Sequence, residues 1–216
     1  MQPLRCTTDH EGTPQATKPG ECVSVDQMVS PTPGLVAQIS GILTTKRYKY
    51  ATIFVDQYSG QGYAYLQKTA TAEETIEAKH AYEAHCETRG VQVRHYRADN
   101  GVFKANKWVK QCLTQRQGLT FAGVNAHHQN GLAENRIRQL QELGRTMLIH
   151  SNRRWPKAIS ANLWPYAVRM AIDSINSTPN MQDQLGRTPD MIHAGTNTTV
   201  NPKHWHHFGC PVYVLD

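Results

Sequence analysis

Residues 127–140 read HHQNGLAENRIRQL, and their reading decides the fold. Gly131 closes a polar loop, and the stretch Leu132–His150 then reads as a long helix with Glu134 in its first turn. Upstream, RADNG at 97–101 places Asp99 at the end of Val91–Ala98, an alternating run that predicts a strand. The pair Asn100-Gly101 lets the backbone turn sharply after it. Earlier still, ECVSVDQMVS at 21–30 places Asp26 in another strand candidate, Cys22–Val29. Three carboxylates far apart in sequence, gathered by a sheet, would make a divalent-metal site.

Outward from these points the pattern is regular. Tyr50–Asp56 (YATIFVD) and Gly62–Gln67 read as strands joined by the turn chemistry of YSGQG, after a loop at 30–45 rich in Pro and Gly. Thr71-Ala72-Glu73-Glu74 has the form of a capping box, with Thr71 as N-cap, and Gly90 supplies the helix stop. Ala105, Trp108, Val109, Cys112 and Leu113 mark one face of a second helix, ended by Gly118. Leu119–Val124 is a fifth strand candidate and Asn125–Gly131 a loop expected to be mobile without its ligand. A helix is expected over 160–176, with Leu163, Ala167, Met170, Ala171 and Ile175 on one face, and another from Thr188-Pro189-Asp190. Three strands followed by strand–helix alternation predict an α/β fold with a five-stranded mixed sheet flanked by helices.

The 216 residues suit one domain of ordinary to large size, and 39% hydrophobic content supplies a core. A net charge of +6 favours a polyanionic partner, and in a basic chain a carboxylate-metal site suggests cutting or joining of nucleic acid. The five cysteines, Cys6, Cys22, Cys86, Cys112 and Cys210, are widely spaced with no CxxC, so neither a disulfide framework nor a self-contained zinc site is indicated. No apolar run is long enough to span a membrane, and the polar N-terminus lacks the apolar stretch of a secretion signal.

Singly, each acid has an ordinary explanation. Asp26 and Asp99 suit turn or cap positions, and Glu134 suits a helix first turn, where the dipole favours an acid. Asp56, which ends the second strand, has the same local form as Asp26, and spacing does not separate the two. Arg138, Gln141 and Arg145 follow Glu134 at helical intervals and share its face. That face reads either as solvated or as a contact surface for DNA. The cluster HWHHFGC, with His204, His206, His207 and Cys210, matches no common zinc spacing and reads as packing and surface. Trp108, Trp155 and Trp164 read as core or interface anchors.

The ordered motifs resemble the catalytic core of retroviral and retrotransposon integrases, a ribonuclease H-like fold with a DDE triad. RADNG resembles the family's second-aspartate motif, HHQNGLAENRIRQL its glutamate motif, and VDQMVSPTPG its first. GRTPDMIHAG and HWHHFGCPVYV resemble downstream marks of the copia type of long-terminal-repeat retrotransposon. The resemblance covers roughly residues 20–216 and implies Asp26, Asp99 and Glu134, not Asp56, as catalytic and metal-binding residues. It further implies two Mg²⁺ or Mn²⁺ ions, joining of element DNA ends to target DNA, homo-oligomers on DNA, and action in the nucleus. Arg138, Gln141, Arg145 and Asn130 are the expected DNA contacts.

The expected organisation is a linker or truncated upstream segment at 1–20, a catalytic core at 21–178 and a helical C-terminal extension at 179–216, cut from a longer polyprotein. Cys6 and His10 would be the remnant of an upstream zinc module. Several positions depart from the family. Asn135 and Ile137 stand where the copia type has Arg and Asn, and His127 stands where Pro is common. The interval of 34 residues between Asp99 and Glu134 is one short of the usual. A non-catalytic DNA-binding or assembly protein from a decayed element is the rival reading, and a nuclease or ribonuclease H of the same fold the second.

Overall fold

The computed structural model describes residues 16–36, 45–122, 130–180, 183–197 and 205–211. Five strands, β1 (Val23–Gly34), β2 (Tyr48–Asp56), β3 (Gly62–Gln67), β4 (His95–Ala98) and β5 (Gly118–Phe121), form one sheet in the order β3-β2-β1-β4-β5. The first three strands run antiparallel, while β1, β4 and β5 are parallel neighbours. Five helices accompany them: α1 (Ala72–Glu87), α2 (Asn106–Thr114), α3 (Gly131–Arg154), α4 (Trp164–Asn176) and α5 (Pro189–Ala194). This is the ribonuclease H-like α/β architecture, with a helical continuation after α3.

Helices cover both faces of the sheet, and the strand sequences follow from that. Val23, Val25, Phe54, Tyr96 and Ala98 point to one core, closed by Tyr82 and Cys86 of α1 and by Trp108 and Cys112 of α2. Met28, Ala51, Ile53, Val55 and Leu66 point to the other, closed by Leu140 of α3 and Trp164, Val168, Ala171 and Ile172 of α4. Strand β2 belongs to both, so it reads as a continuous apolar run rather than an alternation.

Helix α1 begins as its sequence implies. The Thr71 hydroxyl accepts from the Glu74 amide. The reciprocal arm differs, because Glu74 Oε2 accepts from the amides of Lys68 (2.8 Å) and Thr69 (3.0 Å), tying the incoming chain instead of the N-cap itself. Thr188 caps α5 in the same way, accepting from Met191, with Pro189 first in the helix.

Four expectations are corrected. Strand β1 runs on through Pro31 and Pro33 to Gly34, where a loop was expected. The Trp164 indole donates to Thr32 O (2.8 Å) and the Leu35 amide to Asn162 O (2.8 Å), so the start of α4 holds that extension. Strand β4 is only His95–Ala98, and Val91 and Val93 are buried without pairing. Leu113, expected on the buried face of α2, is 68% exposed, since that helix stops being covered after Cys112. Of the three tryptophans expected as core or interface anchors, Trp108 and Trp164 are buried in the core, and Trp155 is exposed and so no part of the core. The segment 123–129, which holds most of the expected loop and the end of the fifth strand candidate, lies outside the described residues, as do Cys6, His10 and His204.

The tightest packing lies under α1. Phe54 is fully buried, stacked on Tyr82 with ring centroids 4.6 Å apart and edge-on to Tyr96 at 6.2 Å. Phe54→Ala should therefore lower unfolding free energy by about 3–5 kcal/mol, read as a lower urea midpoint at unchanged slope. A loss below about 1 kcal/mol would show that this ring does not organise the core.

Candidate active site

Each of the three expected acids is delivered by a different element. The parallel register pairs Val25 with Ala98, the last pair of that ladder. Asp26 and Asp99 each follow by one residue, so they stand side by side where β4 ends. Asp99 Oδ1 accepts from the Gly101 amide (3.0 Å), and Asn100 Nδ2 donates to Ala122 O (3.0 Å) at the end of β5, which fixes the turn. Glu134 comes from the first turn of α3.

The charges of Asp99 and Glu134 are felt at Asp26. The Asp26 carboxyl is pushed up to about 6, chiefly by burial. The Gln27 amide, which donates to Asp26 Oδ1 at 2.7 Å, works against this, while the negative charges of Asp99 and Glu134 push in the same direction as burial. Like charges disfavour ionisation only when near. Yet among the described residues no group of three or more His, Cys, Asp or Glu is gathered closely enough to hold a metal ion. The acids are thus within electrostatic reach but not drawn in to ligating distance. Their all-oxygen chemistry suits Mg²⁺ or Mn²⁺, and a cation would relieve the repulsion.

Asp56 is separated from this site by geometry. Antiparallel pairing sets Asp56 opposite Val23 and Ile53 opposite Asp26. Asp56 is therefore three residues down β1 from Asp26, about 10 Å at strand rise. It is fully buried and saturated, accepting from Gly20 N, Ser59 N and Ser59 Oγ, each at 2.7 Å.

The expected DNA contacts divide. Arg138, Gln141 and Arg145 are all exposed on the flank of α3 that carries Glu134. Arg138 Nη2 donates to Asn135 Oδ1 (2.6 Å). Gln141 and Arg145 border a cleft of about 480 Å³ between α3, α4 and Met28–Thr32 of β1. Asn130 is the exception. It is 1% exposed, and its Nδ2 donates to Val25 O (3.1 Å), so the amide is committed to the fold instead of being presented to DNA.

Arg136 has a role that the sequence did not disclose. It is 8% exposed, and its Nη2 donates to Gly60 O (2.9 Å) in the β2–β3 turn. The available signal was its place on the buried stripe of α3, with Ala133, Leu140 and Gly144. At the far end of α3, Ser151 Oγ donates to Phe208 O, seating the FGC segment, and His207 and Cys210 line the adjoining cleft as packing and surface residues.

The architecture is that of integrase catalytic cores. The core domain of HTLV-2 integrase, solved with magnesium, superposes with a TM-score of 0.56 at 19% identity, over 82% of this chain and 98% of that one. A simian T-cell lymphotropic virus intasome structure, in complex with the PP2A regulatory subunit B56 gamma, gives 0.62 at 17%, over 95% and 63%. In sequence, the chain is similar to retrovirus-related Pol polyproteins from transposons of Arabidopsis thaliana. It is 29% identical over 205 residues to that of transposon RE1, covering 94% of this chain, and 29% identical over 150 residues to that of RE2, covering 68%. It spans only 12% and 10% of those polyproteins' lengths. No protein-family model matches it.

The raised Asp26 carboxyl has a definite linkage sign. A carboxyl held above its unfolded value contributes stability that is present below about pH 4 and lost as pH rises through about 6. Asp26→Asn should hence stabilise the metal-free protein at pH 7.5 by on the order of 1–3 kcal/mol, an advantage that fades by pH 4. Urea melts at the two pH values measure it, and an equal difference at both would mean that Asp26 is not ionised against a penalty.

Proposed function

We propose that this chain is the catalytic core of a DNA-joining enzyme of the integrase type. The observation that carries this reading is the parallel register that sets Asp26 beside Asp99, with Glu134 on a helix tied by Asn130 to Val25 O, in a fold built like an integrase core. The homology to transposon Pol polyproteins supports a role in DNA integration at the family level.

In this reading, Asp26, Asp99 and Glu134 would together hold two Mg²⁺ or Mn²⁺ ions. Bound there, the ions would supply Lewis-acid stabilisation to the attacking and leaving oxygens of an in-line displacement. The substrate is the 3′-hydroxyl end of the element's DNA. Its oxygen bonds to a target phosphorus as the target's 3′ oxygen leaves, so one phosphodiester replaces another and the hydroxyl proton ends on the released 3′ oxygen. Water in place of the hydroxyl gives end trimming. No side chain need act as nucleophile.

The chain's own contribution is placement. Strand register sets Asp26 beside Asp99, and α3 brings Glu134 with Arg138, Gln141 and Arg145 along its exposed flank, where phosphates would lie. The net charge of +6 suits that partner. Two DNA ends acted on together imply a homo-oligomer on DNA, and a chromosomal target implies action in the nucleus.

Asp26→Asn, Asp99→Asn and Glu134→Gln should each abolish joining of labelled duplex ends in Mn²⁺ while melting as cooperatively as the parent. Near-parental joining by any one removes that residue from the site. Arg138→Ala should weaken DNA binding and reduce the salt slope of log K by about one. An unchanged slope would put Arg138 off the DNA path.

A further inference from the structure

Two buried side chains bracket Glu134 on α3, and neither belongs to the proposed metal set. Asn130 lies four residues before it, at the helix N-cap position, and donates to the carbonyl of Val25, the residue directly before Asp26. Arg136 lies two residues after it and donates to Gly60 O in the β2–β3 turn. One tether therefore runs to the strand that carries Asp26, and the other to the turn that joins the adjacent β2 to β3.

The second tether has its own foundation in Asp56. Both the amide and the hydroxyl of Ser59 donate to Asp56 Oδ1, the Gly60 amide donates to Asp56 O (2.9 Å), and the Asp56 amide donates to Gln61 O (2.9 Å). These bonds define the turn that offers Gly60 O to the guanidinium. Gly62 completes the fit, since a Cβ there would stand 2.5 Å from Arg136 Nη1. Both anchors also bear a cost, because Arg136 Nη1 and Asn130 Oδ1 are buried and find no hydrogen-bond partner among the described residues. A fold that tolerates an under-satisfied guanidinium and amide on one helix turn and a half gains position from them, since neither adds apolar burial there.

We propose that Asn130 and Arg136 are positioning residues that clamp the first two turns of α3, fixing the approach of Glu134 to Asp26 and Asp99, with Asp56 shaping the turn that receives Arg136. This rests on the metal-site reading above. It differs from the expectation that Asn130 touches DNA, and it gives Asp56, the acid left over at the sequence level, a structural task in the same device. Asp26, Asp99 and Glu134 would hold the ion together, and Glu134 would reach it from a helix whose place these two tethers set. A loosened helix would lower the population of the arrangement that binds the ion.

The test uses Asn130→Ala, Arg136→Gln and the conservative Arg136→Lys in the full chain, with thermal melts to verify folding. Hydrogen exchange in metal-free protein should show faster exchange across 131–138 in Asn130→Ala and Arg136→Gln, with partial recovery in Arg136→Lys. Free Mn²⁺, followed by electron spin resonance, should show metal affinity about tenfold or more weaker, the loss usual for residues that orient ligands. Binding of duplex DNA without metal should change less than twofold with an unchanged salt slope. Unaltered exchange overturns the clamp. Faster exchange with parental Mn²⁺ affinity overturns the positioning role. A reduced salt slope for Asn130→Ala overturns it in favour of a DNA contact. If the parent chain binds no Mn²⁺, the metal reading fails and the positioning role with it, while exchange still decides whether the clamp exists.

Discussion

Strand β1 is held on one edge by antiparallel β2 and on the other by parallel β4, and the register on that second edge governs the candidate site. The β1–β4 ladder ends at the pair Val25–Ala98, so Asp26, still within β1, and Asp99, just past β4, lie next to each other. A slip of one residue would turn Asp26 toward the core lined by Tyr82 and Tyr96, where a carboxylate has no partner. Alternating burial along Val23, Val25 and Met28 forbids the slip, because each would lose its place in one of the two cores. Apolar packing on both faces thus fixes the position of a polar site that contributes nothing to that packing.

Holding Asp26 there is unfavourable, and the structure shows why it persists. Burial and two neighbouring carboxylates oppose its ionisation, and only the Gln27 amide favours it. The offsetting stability comes from elsewhere: the aromatic group of Phe54, Tyr82, Tyr96 and Trp108 under α1, and the seam of α3 on α4. Glu134 lies in the first turn of α3, a position where the helix dipole favours an acid. Such a division, with stability generated in the cores and tension concentrated at one sheet end, is the expected physics of a site that binds a cation.

Local chemistry made much of this legible in the sequence. Gly62–Gln67, the Thr71 and Thr188 caps and the strand–helix order all depend on neighbours in the chain, and the structure has them as read. Features set by distant partners were not legible. Pro31 and Pro33 read as loop, yet β1 is extended there because the Trp164 indole, 132 residues beyond Thr32, holds it. Helix α1 shows little apolar periodicity because its buried face includes Thr75 and Lys79, the latter paired with Glu83 at 2.8 Å. Asp26 and Asp56 look alike as strand acids, and only antiparallel pairing separates them, setting Asp56 opposite Val23 at the end of the β1–β2 ladder and Asp26 opposite Ile53, three pairs along it. Asn130 and Arg136 carry polar side chains that sequence reading assigns to solvent or ligand, while their partners are backbone carbonyls with no sequence signature.

The short interval between Asp99 and Glu134 bears on the site differently once these bonds are considered. Chain length between two residues sets their separation only where the intervening chain is taut or regular. Here α3 is fixed by Asn130 to Val25 O, and a helix sets the four-residue step from Asn130 to Glu134. The position of Glu134 against Asp26 is thereby decided downstream of residue 130 and across the sheet. Asp99 is fixed independently, by the pairing of β4 with β1 and by its bond to the Gly101 amide. One residue fewer between the two anchors alters the path that joins them, not the ends it joins. The same logic separates two kinds of change in the glutamate motif. Asn135 and Ile137 lie on a helix whose anchors, Asn130 and Arg136, are both in place; Asn135 is exposed and changes what α3 presents to a ligand, whereas Ile137 packs against the core that α3 closes.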